Sequence, residues 1–142
     1  MRGVSLADLD RELNTESGLE GLSDGRDLRE LVAEADDEEA QLALQVYTYR
    51  IAAAVSAMGV ALDGVDTIVF TAGVGEHSAA VRAAICARLG FLSVELDSDL
   101  NEGATPDADI AAAAAAVRVL VIAAREELVV ARAVHALLDP ST

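Results

Sequence analysis

The sequence predicts an α/β fold, a small sheet covered by helices, in one domain over residues 1–142, and three features carry that expectation. Helix-type spacing dominates before residue 60, strand-like and helix-like segments alternate after it, and a Gly-x-Gly turn joins one such strand to the next helix. A chain of 142 residues is long enough for one real hydrophobic core and cramped for two. No internal repeat is visible, and the short strands are expected to be buried on both faces.

Ser5-Leu6-Ala7-Asp8 resembles a capping box with Asp in place of Glu, and Leu6, Leu9 and Leu13 continue at helical spacing, so a short first helix is expected. Residues 14–25 mix Ser, Thr and the glycines Gly18, Gly21 and Gly25, which favours an irregular loop ending near Asp27. A long helix begins at Asp36-Asp37, whose charges complement the helix dipole. Leu42, Val46, Tyr49 and Ala53 form one apolar stripe and Leu44, Tyr47, Ile51, Val55 and Met58 a second, which predicts a largely buried helix closed by Gly59.

Residues 66–71, Asp-Thr-Ile-Val-Phe-Thr, read as a buried strand running into Ala72-Gly73-Val74-Gly75. The next helix carries Val81, Ile85 and Leu89 on its apolar face, with Arg82 and Arg88 off it and Gly90 as a left-handed cap. Residues 91–96 read as a short strand, and the acidic stretch 97–109 with Pro106 as a surface loop. The alanines of 111–116 are ambiguous between helix and strand, 117–122 is a strand, and 126–138 is a closing helix with Leu128, Ala131, His135 and Leu138 on one side.

Composition narrows the function. The net charge of −15 repels nucleic acid and anionic membranes, although backbone amides and a few cations can still hold phosphates locally. The longest apolar run, 110–124, is interrupted by Arg118 and falls short of the roughly 20 residues that a transmembrane helix needs. The N-terminus has no signal-peptide pattern, and the single Cys86 excludes an internal disulfide; both point to the cytoplasm. Cys86 reads as a small buried hydrophobe, and His77 and His135 lack partners at zinc-ligand spacing.

Three segments carry candidate chemistry, each with a plainer alternative. The turn from Phe70 to His77 can bring backbone close to a phosphate, or can simply be tight. It is neither a Walker A loop nor a full dinucleotide fingerprint. Asp27 and Arg29 can address a ribose hydroxyl and a phosphate, or Asp27 can cap a helix. Glu126 and Glu127, at the end of a strand, can hold Mg²⁺, or can stabilise a helix N-terminus.

In order along the chain these segments resemble the acetate kinase (acetokinase) family. Ser17-Gly18-Leu19-Glu20-Gly21-Leu22, Asp27-Leu28-Arg29 and the stretch from Phe70 to His77 match its Ser-Gly-Leu-x-Gly-Leu, Asp-Met-Arg-like and Phe-Thr-x-Gly-Ile-Gly-Glu-Asn signatures. Val81-Arg82, Leu89-Gly90-Phe91-Leu92, Glu95-Leu96-Asp97 and Glu126-Glu127-Leu128 also fall at the family's spacing. The resemblance implies one lobe of the actin, hexokinase and acetokinase fold, built on a ribonuclease H-like motif. It implies ATP or ADP contacts at Asp27, Leu28, Arg29, Gly73, Val74, Gly75, Glu76 and His77, and a Mg²⁺ site at Glu126. The implied reaction is reversible transfer of the ATP γ-phosphate to acetate, giving acetyl phosphate and ADP, in a homodimer.

The likeness covers the family's C-terminal, nucleotide-binding half alone, so no catalytic residue is expected in this chain. Acetate, or propionate or butyrate in related kinases, would bind only if the N-terminal half were supplied; a non-catalytic dimerisation or interaction remnant is the alternative. Two local departures stand out. His77 replaces the Asn that ends the family's loop, keeping a hydrogen-bonding side chain of different shape, and Ala123-Ala124-Arg125 replaces Pro-Thr-Asn, placing a cation beside Glu126.

Overall fold

A computed structural model describes residues 4–34 and 36–138; Met1, Arg2 and Gly3, on which the leader reading rests, and residues 139–142 lie outside them. The first helix, α1 (Leu6–Thr15), starts as expected at Ser5, whose Oγ accepts from the Asp8 amide at 3.1 Å and donates to the Asp8 carboxylate at 2.7 Å. None of its residues is buried, so Leu6, Leu9 and Leu13 remain open to solvent.

The predicted loop 14–25 instead contains a short helix, α2 (Gly18–Leu22). Its glycines make a close reversal possible, because a Cβ on Gly21 would lie 2.6 Å from the Glu16 carbonyl oxygen. The Ser17–Leu22 pattern is therefore a packing device that folds the chain back at the end of α1. Arg26 then fixes the next turn, donating from Nε to the Ser23 carbonyl at 2.8 Å and pairing with Glu34, Asp37 and Glu39.

Helix α3 (Leu28–Ala33) packs through the buried Leu31 against Ala40 and Ala43 of α4 (Glu38–Ala61). Asp37 caps α4, accepting from the Ala40 amide at 2.9 Å. The expectation of a largely buried α4 is corrected. Its buried positions are Ala40, Ala43, Thr48, Ala52 and Gly59, whereas Leu42 is 54% and Met58 60% exposed, and Val46 and Tyr49 lie on the surface. Small residues bring this helix close to its neighbours, Leu44, Tyr47, Ile51 and Val55 pack partly against the core, and Leu42, Val46, Tyr49 and Met58 face outward. Gly59 lies inside the helix, which runs on to Ala61.

Three strands form the sheet: β1 (Thr67–Thr71), β2 (Ala108–Asp109) and β3 (Arg118–Ile122), in the order β1-β3-β2. β1 and β3 are parallel and in register from Thr67↔Arg118 to Thr71↔Ile122, and β2 runs antiparallel to β3. Between β1 and β2 the chain forms α5 (Ala72–His77), α6 (Ala79–Ala87) and α7 (Ser98–Glu102), and α8 (Glu126–Leu138) comes after β3. Among the described residues no helix is long and apolar enough to cross a membrane.

Ile68, Phe70, Val119 and Val121 point from the sheet into a core with Ala52, Val81, Ile85 and Leu89. The opposite sheet face is only partly covered, which corrects the expectation of strands buried on both sides: β1 alternates exposed and buried residues, and Leu120 and Ile122 of β3 are half-buried. Residues 91–96 hold no strand. Gly90–Leu92 is a 3₁₀ turn, Leu96 makes one bridge to Ala111, and the left-handed residue that ends this region is Ser93 (φ 63°), not Gly90.

The 97–109 loop contains α7 and β2. Helix α7 is started by Asp97, whose Oδ1 accepts from the Asp99 and Leu100 amides, both at 3.0 Å. The alanines of 111–116 form no helix, because Asp109 takes the Ala111 amide at 3.0 Å and the Glu95 carbonyl takes the Ala112 amide at 2.9 Å. Tertiary pairing here overrides the helix propensity of alanine. Helix α8 spans the expected residues but has no buried residue, so its predicted apolar side is exposed.

Candidate functional site

Parallel strands release their chain at one end of a sheet, and ligands of α/β proteins gather there. At that end of β1 the backbone turns at Ala72 (φ 58°) and Gly73, where helical geometry is broken, before α5 completes one turn. Gly75 packs against β1, where a Cβ would make ordinary contact with the Phe70 carbonyl carbon at 3.4 Å. The His77 ring donates from Nδ1 to the Gly73 carbonyl at 2.7 Å, closing the turn on itself.

Glu76 joins the two strand ends. Its Oε1 accepts from the Ala72 amide at 2.6 Å and from the Ala124 amide, just beyond β3, at 2.9 Å. This carboxylate therefore organises the turn, and a ligand would meet backbone that Glu76 has already placed.

A second organiser lies beneath the turn. Arg82, expected off the apolar face of α6, is 2% exposed. It donates from Nη1 to the carbonyls of Gly75 (3.0 Å) and Glu76 (2.9 Å), and from Nε and Nη2 to the side chain and carbonyl of Asn101 (both 2.8 Å). Asn101 in turn donates to the Ala79 carbonyl at 3.0 Å. Burial lowers the Arg82 pKa from its usual value and raises the nearby Cys86 thiol to about 11, so Cys86 packs as the small hydrophobe expected. Helical periodicity misses Arg82 because it treats a guanidinium as solvated, whereas here it serves turn carbonyls and Asn101 that only tertiary packing brings to it.

Two cavities open on this turn. One, of about 240 Å³, lies between Leu28, Arg29 and Val32 on one side and Gly73, Val74 and His77 on the other. The other, of about 340 Å³, is bounded by Gly73, Glu76, Ala124, Arg125 and Glu126. Gly73 belongs to both, so the three candidate segments meet around one turn. Asp27 does not line either cavity. It caps α3, its Oδ1 accepting from the amides of Arg29 (2.7 Å) and Glu30 (3.0 Å) while Glu30 returns a bond to the Asp27 amide at 2.8 Å.

Those amide bonds, first Glu30 and then Arg29, hold the Asp27 carboxyl below its usual pKa. A depressed carboxylate contributes stability above its unfolded pKa, near 4, and the contribution is lost as pH falls through the lower folded value. The melting temperature of wild type should therefore exceed that of Asp27→Ala above about pH 4, with the gap closing in more acidic buffer. Thermal melts of both proteins from pH 7 down to 2.5 check this; a gap that widens on acidification contradicts it.

The cation beside Glu126 is already engaged. Arg125 is ion-paired with Asp107, whose Oδ1 also accepts from the Ala123 amide at 3.3 Å, and this pairing lowers the pKa of Asp107 and raises that of Arg125. Among the described residues no group of three or more His, Cys, Asp or Glu side chains is arranged to hold a metal. Mg²⁺ commonly keeps several waters and takes one or two carboxylates together with substrate phosphates. The exposed Glu126 at the second cavity fits that mode, in which the metal arrives with a phosphate ligand.

Known proteins repeat this arrangement of sequence and fold. The acetate kinase of Gloeobacter violaceus is 52% identical over 127 residues, covering 87% of this chain and 31% of the relative. That of Synechococcus sp. (strain JA-2-3B'a(2-13)) is 44% identical over 141 residues, covering 97% and 35%. A crystal structure of Porphyromonas gingivalis acetate kinase superposes with a TM-score of 0.83 at 34% identity over 96% of this chain and 35% of its own. A propionate kinase from Francisella tularensis gives 0.82 at 31% identity over 92% and 34%. The chain thus spans about a third of the length of the curated relatives it matches. With the sequence pattern of the Acetokinase family matching residues 1–132, and with turn, strands and helices in the order its members share, the chain belongs to the acetokinase family.

Proposed function

We propose that residues 1–142 form one domain that binds ATP or ADP with Mg²⁺, as the nucleotide-binding part of a kinase that reversibly phosphorylates acetate. The observation that carries this reading is Gly73, shared by a cavity that Arg29 lines and a cavity that Glu126 lines. The apolar wall of Leu28, Val32 and Val74 suits a base and ribose. The polar second cavity suits phosphates, with Glu126 as a ligand for Mg²⁺, which would neutralise phosphate charge. Phosphoryl transfer needs positioning and charge stabilisation from both sides of a cleft, so this chain alone is expected to bind nucleotide weakly and turn it over negligibly.

A short carboxylate other than acetate fits the same reading, since one structural neighbour is a propionate kinase. The buried Cys86 accords with a reducing cytoplasm. The exposed Leu42, Val46, Tyr49 and Met58 on α4 favour a second reading, a nucleotide-independent homodimer or interaction remnant. Isothermal titration with ADP or ATP and excess Mg²⁺ tests the first. Saturable heat at sub-millimolar to millimolar ligand is expected, with Arg29→Ala weakening it about tenfold, the loss of one charge-assisted contact to the nucleotide. No heat at millimolar nucleotide, beside a dimer by light scattering, would favour the second.

A further inference from the structure

The second cavity has a largely acidic wall: Glu76, Glu126 and Glu127 line it, and Arg125 is the one cation lining it among the described residues. The Glu76 carboxylate is taken up by the Ala72 and Ala124 amides, which leaves Glu126 and Glu127 to be offset by positive charge. Helix α8 begins at Glu126, so the positive end of its dipole lies in the same wall.

Arg125 is held at this wall by a tether. Its Nη1 donates to Asp107 Oδ1 at 3.2 Å and its Nη2 donates to Asp107 Oδ2, so both carboxylate oxygens fix one edge of the guanidinium. Asp107 is itself anchored: Oδ1 accepts from the Ala123 amide at 3.3 Å, and its own amide donates to the Val121 carbonyl at 2.7 Å. Asp107 (φ 71°) and Arg125 (φ 44°) both take left-handed backbone, which a residue with a Cβ adopts only under constraint, as does Ala72 (φ 58°) in the same wall. A guanidinium carries five N–H donors, of which Asp107 takes two. The Nε–H and one N–H on each Nη remain for a ligand on a side chain that is 50% exposed.

We propose that Arg125 binds a phosphate oxygen of the nucleotide in this cavity. This contact, which rests on the nucleotide reading above, brings a guanidinium to the diphosphate end beside the Mg²⁺ that Glu126 would hold. A tethered guanidinium presents its donors as a planar fork suited to phosphate and has less side-chain freedom to lose on binding. The rival role is a structural strap from Asp107, just before β2, to the start of α8, and it predicts different effects of substitution.

Isothermal titration of the whole chain with pyrophosphate in metal-free buffer, with ADP plus Mg²⁺, and with adenosine separates the two. Arg125→Gln is expected to weaken pyrophosphate and ADP at least about tenfold and to leave adenosine unchanged, the loss of one charge-assisted phosphate contact. Asp107→Asn still offers an amide oxygen to Arg125 and removes a competing charge, so pyrophosphate affinity should stay within about threefold of wild type. Unchanged pyrophosphate affinity in Arg125→Gln, equal losses from the two variants, or an equal loss for adenosine would each overturn the proposal. ADP heat that Arg125→Gln leaves intact removes the Arg125 contact and keeps the nucleotide site. Pyrophosphate heat that Arg125→Gln abolishes, with no heat from ADP or adenosine, keeps the contact and removes the nucleotide reading; no heat from any ligand removes both. If Arg125→Gln does not fold, the Arg125 Nε–H resonance is followed in labelled wild type. Saturable movement with pyrophosphate then supports the contact, and a resonance that stays in place overturns it.

Discussion

Arg82→Ala is expected to destabilise the chain by about 3–5 kcal/mol, the largest effect of any single substitution near the turn. The side chain is buried, and its removal takes the guanidinium donor from the carbonyls of Gly75 and Glu76 and from the Asn101 side-chain oxygen, while the Asn101 carbonyl keeps the Ala104 amide. Unsatisfied buried acceptors cost about 1–3 kcal/mol each, and water entering the vacated space recovers part of that. Arg82→Lys should fall between the two, because an ammonium cannot reproduce the planar fork that serves the turn and α7 together. Urea unfolding followed by circular dichroism measures this. A loss below about 1 kcal/mol for Arg82→Ala would mean that the turn does not depend on the clamp.

Glu76→Ala is expected to weaken nucleotide binding more than tenfold while leaving the core strands folded. The carboxylate is the single group that accepts from both Ala72 and Ala124, so without it the ends of β1 and β3 lose their tie and Gly73 is no longer fixed between the two cavities. Glu76→Gln separates geometry from charge, because an amide oxygen accepts the same two N–H groups. If the glutamine variant binds nucleotide near the wild-type level and the alanine variant does not, Glu76 acts by positioning. Equal loss in both would assign it a direct electrostatic role toward the ligand.

Legible and illegible features of the chain divide along physical lines. The starts of α1, α4 and α8 were legible because Ser5, Asp37 and the Glu126-Glu127 pair act locally, through caps and dipoles that a single sequence displays. The strands around Ile68–Phe70 and Val119–Val121 were legible from β-branched and aromatic runs. Helices α2 and α7 were missed because Gly21, Asp97 and their neighbours carry loop-like composition, and they are held helical by packing against Glu16 and capping by Asp97. The alanines of 111–116 show the converse, a strong propensity set aside by bonds to Asp109 and Glu95.

At the candidate site, the glycine turn, Arg29 and Glu126 are candidates from motif and resemblance, and the structure places them around Gly73. The supports were harder to see. Arg82, Asn101 and the inward role of Glu76 satisfy backbone groups far away in sequence, and no local pattern announces such a partner. Asp27 combines both sides: motif makes it a ligand candidate, and its geometry is that of the helix cap offered as the plainer alternative.

The proposed function requires Arg29, the 73–77 turn and Glu126 to act as one nucleotide site. Amide chemical-shift mapping of the isotopically labelled chain, titrated with Mg²⁺ and ADP, tests that requirement. A single site gives one saturable set of shifts at residues 28–32, 73–77 and 123–127, all tracking one binding curve. Shifts confined to one of these segments, or tracking separate curves, would contradict it.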